Sequence, residues 1–216
     1  LGSNAGRNSQ GQSAVAVGRW AGNTNQSQFA VAVGRYSGAS SQGEQSVAVG
    51  HFAGYSSQSS YAIAVGPSAG QYSQSGGAVA IGNNAGNSGQ NGNAIAIGAG
   101  AADSNQGAGA ITIGANAGSN QQSGAIALGF GSGVSGHQYS VALGYQAGSA
   151  DVSVLGDYAI AIGYKAGFSG TKIAGMVVGG TKRLASEINM SASEAAFEAV
   201  SSYGDALSGR LETYIQ

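Results

Sequence analysis

One short phrase governs this chain. A small residue, a branched residue, alanine, a second branched residue and glycine return at near-constant intervals along almost the whole sequence. The closing glycines are Gly18, Gly34, Gly50, Gly66, Gly82, Gly98, Gly114, Gly129, Gly144 and Gly163, with Gly2 and Gly179 in phase at the ends. The steps are sixteen residues, apart from two of fifteen and one of nineteen. Two further signals share this grid. Ala-Gly or Ser-Gly stands three and four residues after most anchors, as in Ala21-Gly22 and Ser37-Gly38, with Ala101-Ala102 the one lapse. Glutamine stands eight residues after each of the first eight anchors, as Gln10, Gln26, Gln42, Gln58, Gln74, Gln90, Gln106 and Gln122. A fixed period of this length marks a repeat architecture, in which each unit buries its apolar face only against its neighbours.

Ala14-Val15-Ala16-Val17 alternates in size, which in a strand places alanines on one face and valines on the other. Branched residues and glycine disfavour helix, and sixteen residues leave no room for a strand plus a crossover helix. The chain therefore reads as all-β, a parallel β-roll or solenoid of about 16 residues per coil. Each coil rises about 4.8 Å, so eleven intervals give a rod of about 50 Å. Alanine suits the narrow interior of so small a coil. Val15, Val17, Val31, Val33, Ile63, Val65, Ile95 and Ile97 then point outward. A continuous Val/Ile stripe requires cover, and copies of the same chain are the expected cover, making a homo-oligomer. The glutamines are expected at the outer turn, where stacked amides bond one coil to the next; ligand binding by the series is the alternative.

Composition removes several classes. Only 8% of the residues are charged, against about 25% for an ordinary globular surface. One proline and no run of eighteen apolar residues exclude a collagen triplet and a transmembrane helix. A hydrophobic content of 42% argues against disorder. The absence of cysteine excludes disulfide scaffolds and thiolate metal sites. A net charge of -1 argues against nucleic acid or an anionic membrane as partner. His51 and His137 are the only histidines, and the carboxylates, Asp103, Asp151 and Asp157 included, are dispersed. No acid–base pair, metal cluster or cofactor site is expected, and the chain reads as non-enzymatic. Gly98-Ala99-Gly100 and Gly129-Phe130-Gly131-Ser132-Gly133 resemble phosphate loops only superficially, because they lie on the grid and read as turns.

Charge also divides the chain. Residues 1–180 carry nine charged side chains and residues 181–216 carry eight, which separates a roll (1–180), a connector (181–190) and a tail (191–216). In the tail, Ser191-x-x-Glu194 has the form of a capping box. Phe197, Val200, Gly204, Leu207, Leu211 and Tyr214 follow spacings of three and four, the seam of a coiled coil. A stalk is the expectation, with an amphipathic helix packed on the end of the roll as the alternative. Lys182 and Arg183 read as residues that solvate or pin the junction. The nineteen-residue step around Asp151–Asp157 should extrude a small loop, and a pattern already running at Leu1 is expected of a piece of a longer chain.

The informative variation lies one and two positions after the anchors: Arg19-Trp20, Arg35-Tyr36 and His51-Phe52, then Pro67-Ser68 and Asn83-Asn84. Coils stacked in register would place Trp20, Tyr36 and Phe52 in a column with Arg19, Arg35 and His51 beside it. Such a column can receive a sugar ring or an extended peptide. It can equally close a groove between subunits. Tyr145 and Tyr164 repeat the arrangement without the cation.

The stretches AVAVGRWAG (14–22), AVAVGRYSG (30–38), AIAVGPSAG (62–70) and AIAIGYKAG (159–167) resemble the head repeats of YadA-type trimeric autotransporter adhesins. The resemblance covers residues 1 to about 180, and Thr181–Asn189 stands where the family carries its neck. It implies a left-handed roll, three chains packed around one axis, and an adhesive head at the end of an extracellular fibre. Coils of sixteen residues also resemble repeats in the tail fibres of phages and large viruses, so a bacterial surface and a virion are both open. The leading function is attachment to a host-cell surface through a glycan or protein receptor. A purely structural spacer is the alternative, and an ice- or lattice-binding solenoid is a third, with Thr112 the one hydroxyl on the Ala/Val strands.

Overall fold

Branched residues flanking alanine favour an extended backbone, and at each grid position they form a three-residue strand that meets its copy in the next coil. A computed structural model describes residues 1–133, 137–149, 157–167 and 174–178, all within one compact unit, Leu1–Gly179. Val15–Val17, Val31–Val33, Val47–Val49, Ile63–Val65, Val79–Ile81, Ile95–Ile97, Ile111–Ile113, Ile126–Leu128, Val141–Leu143 and Ile160–Tyr164 form ten successive parallel strands. Alanine lies opposite alanine from Ala16 to Ala96. The architecture is an all-β parallel solenoid of about 16 residues per coil, with no helix among the described residues. The connector, the tail with its seam residues Phe197, Val200, Leu207, Leu211 and Tyr214, and all but Asp157 of the loop expected around Asp151–Asp157, lie outside the described residues.

A second parallel sheet crosses the other side of each coil, through Asn8–Gln10, Thr24–Gln26, Ser40–Gln42, Ser56–Gln58 and Tyr72–Gln74. Sequence periodicity gave no sign of it. Its triplets are polar and do not alternate, and their central residues Ser9, Asn25, Ser41, Ser57 and Ser73 sit at φ of 53° to 58°. Only the outer two residues of each triplet pair with the next coil.

The last strand corrects the expectation that Gly179 closes one more parallel coil. Ala174–Val178 runs antiparallel to Ile160–Tyr164. A parallel neighbour requires a crossover of about a dozen residues or more. Thirteen residues separate Val17 from Val31, but only nine separate Tyr164 from Ala174. One interval is thereby lost, leaving ten from Gly2, which lies against Gly18, to Gly163, roughly 48 Å of rise.

Alanines fill the interior, with Ala48, Ala53, Ala64, Ala69, Ala80 and Ala85 wholly shielded from solvent. The glutamines share that interior, which overturns their placement at the outer turn. Gln26, Gln42, Gln58, Gln74, Gln90, Gln106 and Gln121 are among the largest fully buried side chains. An amide can lie inside because the coil supplies acceptors. Gln74 Nε2 donates to the carbonyls of Ile63 (2.8 Å) and Ala78 (3.2 Å) and to Gln90 Oε1 (3.1 Å). The amides also bond from coil to coil, from Gln26 to Gln42 and from Gln58 through Gln74 and Gln90 to Gln106.

The glycine signals belong to the same construction. A Cβ on Gly54 would lie 2.7 Å from Oε1 of Gln58, so the Ala-Gly position is the space the amide needs. A Cβ on the anchor Gly66 would lie 2.6 Å from the carbonyl oxygen of Gly82, at a φ of +128°. Anchor glycines therefore allow successive backbones to approach each other.

Two details follow from the fifteen-residue step after Gly114. Gln121, one residue early, takes the buried place while Gln122 is exposed. Thr112 replaces the usual alanine, accepting from Gln106 Nε2 at 3.1 Å and donating to Gln121 Oε1. Its hydroxyl is buried and faces the interior, so it offers nothing to an ice lattice.

Outside, the branched residues form one apolar face. Val15 and Val17 are 45% and 37% exposed, and Val31, Val33, Ile63, Val65, Ile95 and Ile97 are half-buried in the single chain.

Candidate functional site

The second position after each anchor is fixed in the left-handed region by the turn it occupies. Ser68, Asn84, Asn116, Gly100 and Gly131 stand there in some coils, at φ of 53° to 64°. Trp20, Tyr36 and Phe52 hold the same conformation at φ 63°, 59° and 59°. For a residue with a Cβ this costs about 1–2 kcal/mol, which asparagine and glycine partly or wholly escape. Stacking in register then superposes the rings. Trp20 and Tyr36 lie 6.1 Å apart at 15°, and Tyr36 and Phe52 lie 5.0 Å apart at 5°. The guanidinium of Arg35 sits 5.1 Å from the Tyr36 centroid, and His51 packs on Phe52 at 4.3 Å. Arg19, Arg35 and His51 are exposed. The stack turns the faces of Tyr36 toward its own neighbours, so what the column offers a ligand is its flank.

That flank holds a feature the sequence reading missed. Tyr55, five residues after its anchor, stands edge-on to Tyr36 (6.3 Å, 76°), Phe52 (5.3 Å, 80°) and Tyr72 (6.1 Å, 87°). It borders an open groove of about 270 Å³ lined by Trp20, Asn23, Thr24, Tyr36, Ala39, Ser40 and Tyr55. The signal lay on the grid, because the residues five after successive anchors are Asn23, Ala39 and Tyr55. Asn23 is braced, its Nδ2 donating to the Asn4 carbonyl at 2.9 Å and its Oδ1 accepting from Thr24 Oγ1 at 3.0 Å. Nε1 of Trp20 is buried without an acceptor.

Further columns stand elsewhere. Phe130, Tyr145 and Tyr164, each one residue after its anchor, stack at 5.4 and 5.3 Å. This column does carry a cation, contrary to expectation. Lys165 Nζ lies 5.5 Å from the Tyr164 centroid, because aromatic and cation have exchanged order after the anchor. On the turn before the Val/Ile strands, Tyr139 and Tyr158 stack at 5.4 Å. Asp157 ends the nineteen-residue coil, accepting from the Gln138 N–H at 2.9 Å with His137 Nδ1 at 3.8 Å. Among the described residues no group of three His, Cys, Asp or Glu side chains could hold a metal ion, and no helix is long and apolar enough to cross a membrane.

Residues 27–53, 123–147 and 138–166 match the YadA head domain repeat. These stretches are YadA-like head repeats. No curated protein and no solved structure matches it. Of the first column, Arg35, Tyr36, His51 and Phe52 fall within a matched stretch, whereas Trp20 and Tyr55 fall outside. The coils between residues 54 and 122, which the family model does not match, stack in the same register, so one set of packing rules runs through matched and unmatched coils alike.

Proposed function

We propose that this chain is the head of a non-enzymatic, homotrimeric attachment fibre, displayed on a bacterial surface or a virion, that binds a molecule on a host cell. The observation that carries this reading is the outward Val/Ile face. It runs the length of ten strands, and on a lone chain Val15, Ile81 and Ile113 are 45%, 39% and 40% exposed. A continuous apolar face of that length marks an association surface. On this reading, which the resemblance to YadA head repeats supports, the rolls are left-handed and three to a fibre, with Val15, Val17, Val31, Val33, Ile63, Val65, Ile95 and Ile97 turned toward the shared axis. Residues 191–216 continue the fibre as a coiled-coil stalk seamed by Phe197, Val200, Leu207, Leu211 and Tyr214. Trp20, Tyr36, Phe52, Arg19, Arg35 and His51 form the contact patch. Three copies on one rigid rod multiply individually weak contacts.

The test is the mass in solution followed by cell binding. Light scattering should give about 63 kDa, three times the 20.9 kDa chain, and the trimer should adhere to cells. A stable monomer overturns the fibre. The buried amide ladder favours one other reading, a rigid spacer projecting a binding tip elsewhere. A trimer that adheres to no cell type would establish it.

A further inference from the structure

We infer that the groove flanking the first aromatic column is a binding site for one neutral hexopyranose unit of a cell-surface glycan. This rests on the attachment reading and specifies what is attached to. A pyranose presents C–H groups on its faces and hydroxyls around its edge. Such a ligand matches a site with aromatic walls and uncharged hydrogen-bonding groups. The groove has both, with Trp20, Tyr36 and Tyr55 as walls and Asn23, Thr24 and Ser40 as the polar side. Among the described residues the Ser40 hydroxyl has no partner, and Thr24 Oγ1, having donated to Asn23, keeps its lone pairs as acceptors.

Three observations narrow the ligand. None of the seven lining residues is charged, so no ion pair selects an acidic sugar, and Arg19 and Arg35 stand outside the lining. The volume of about 270 Å³ lies below the range of about 300–1,000 Å³ for larger ligands, which suits a single ring. The groove is also bounded along the rod. Ala39 lines it as the one small, nearly buried apolar residue, and Tyr55, edge-on to Phe52, is the last lining residue along the chain.

The sequence has no folding reason for this arrangement. Serine, asparagine, glycine, glutamine or lysine serves at the Trp20 and Tyr36 grid position in other coils, at a similar positive φ, so the turn does not require the two bulky rings held here at φ 63° and 59°. The indole N–H of Trp20 is buried without an acceptor, a deficit a ring or hydroxyl oxygen could relieve after a small side-chain adjustment.

The experiment uses the full chain in its native oligomeric state. Methyl glucopyranoside, galactopyranoside and mannopyranoside are titrated by saturation-transfer NMR, with methyl glucuronide as the charged comparison and cell adhesion measured in parallel. At least one neutral glycoside should saturate in the millimolar range and bind tenfold or more tightly than the glucuronide. Trp20→Ser should lose that binding. Ala39→Leu should lose it as well by filling the groove, without disturbing the coil, because Tyr55, Gln71 and Asn87 occupy the same grid position in later coils. The Phe130→Ser variant should bind like the unaltered chain. Absence of binding to all three neutral glycosides, preference for the glucuronide, or unchanged binding by Ala39→Leu overturns the site. If cells are still bound in that event, the attachment reading survives. If the unaltered trimer binds no cells, both fail.

Discussion

Replacing Gln74 by leucine keeps a side chain of similar size in the solenoid and removes every polar contact it makes. Gln74 Nε2 faces three acceptors, the carbonyls of Ile63 at 2.8 Å and Ala78 at 3.2 Å and Gln90 Oε1 at 3.1 Å. Its Oε1 accepts from Gln58 Nε2 at 3.1 Å. An amide nitrogen carries two hydrogens, so the three acceptors share two bonds, and the variant loses about three bonds in all. At about 1 kcal/mol each the loss is about 3 kcal/mol, and leaving Gln90 Oε1 buried without a donor adds about 1–2 kcal/mol. The apolar burial gained by leucine returns about 1 kcal/mol, leaving a net destabilisation of about 3–4 kcal/mol. For a domain of this size that is a fall in Tm of about 6–16 °C. Thermal unfolding followed by circular dichroism reads it, at one fixed protein concentration because association shifts apparent stability. The control is Gln10→Leu, the same residue type exposed in the first coil, which should stay within about 0.5 kcal/mol. Equal midpoints for the two variants would refute the ladder as part of the core.

Gly66→Ala should fail to accumulate as soluble protein, since its Cβ would meet the Gly82 carbonyl oxygen at 2.6 Å at a φ of +128°; a soluble variant with an unchanged melting curve would contradict this. Ala102→Gly should raise Tm by about 2–4 °C, because Ala102 sits at φ 47° where other coils use glycine, and relief is about 1 kcal/mol. Thr112→Val should lower stability by about 2 kcal/mol by unpairing Gln121 Oε1, and Thr112→Ser should recover most of it, both read by urea unfolding. Val33→Lys, on the outward face, should give a monomer by light scattering where the proposed fibre requires a trimer of the unaltered chain, while keeping the β circular-dichroism spectrum.

The parts of this fold legible in the sequence are those with a period. Alternation in Val15-Ala16-Val17 fixes which face is inside, and the constant step fixes register, because slipping one residue would put two branched side chains of every strand into an interior built for alanine. What escaped lacked alternation or ran against habit. Ser40-Ser41-Gln42 reads as a polar turn, yet its outer residues pair in a sheet and its glutamine turns inward. A glutamine on a repeat grid suggests an exposed ladder, as amides normally seek water. Here the anchor-plus-four glycine empties a space beside it, and the strand-entry carbonyls of Ile63 and Ala78 receive the amide. The antiparallel return at Ala174–Val178 was visible only by counting connection length rather than anchor phase. At the candidate site, Trp20, Tyr36 and Phe52 followed from register alone. Tyr55 did not, because it belongs to a different column and meets them only across the turn.

The same geometry separates what the coil conserves from what it varies. Interior positions are constrained by contact: glycine at Gly54 leaves room for Gln58, though Ala102 holds the same place beside a buried Gln106, and Gly66 must admit the backbone of Gly82. The two residues after each anchor touch neither system. Their backbone is held near φ +49° to +64° at the second position whichever side chain is present, so tryptophan, serine, asparagine, glutamine, lysine and glycine all fold into the same turn at differing cost. Such positions are free for surface chemistry, and their side chains recur about every 4.8 Å along the rod. Aromatics in adjacent coils must therefore stack. One change of residue, as at Pro67-Ser68 after His51-Phe52, ends the patch, so its length equals the number of consecutive coils that carry a ring. Two patches of three rings, Trp20 to Phe52 and Phe130 to Tyr164, are separated by coils bearing asparagine, glycine and alanine at these positions, which makes the rod a scaffold on which separate contact sites can change without altering its core.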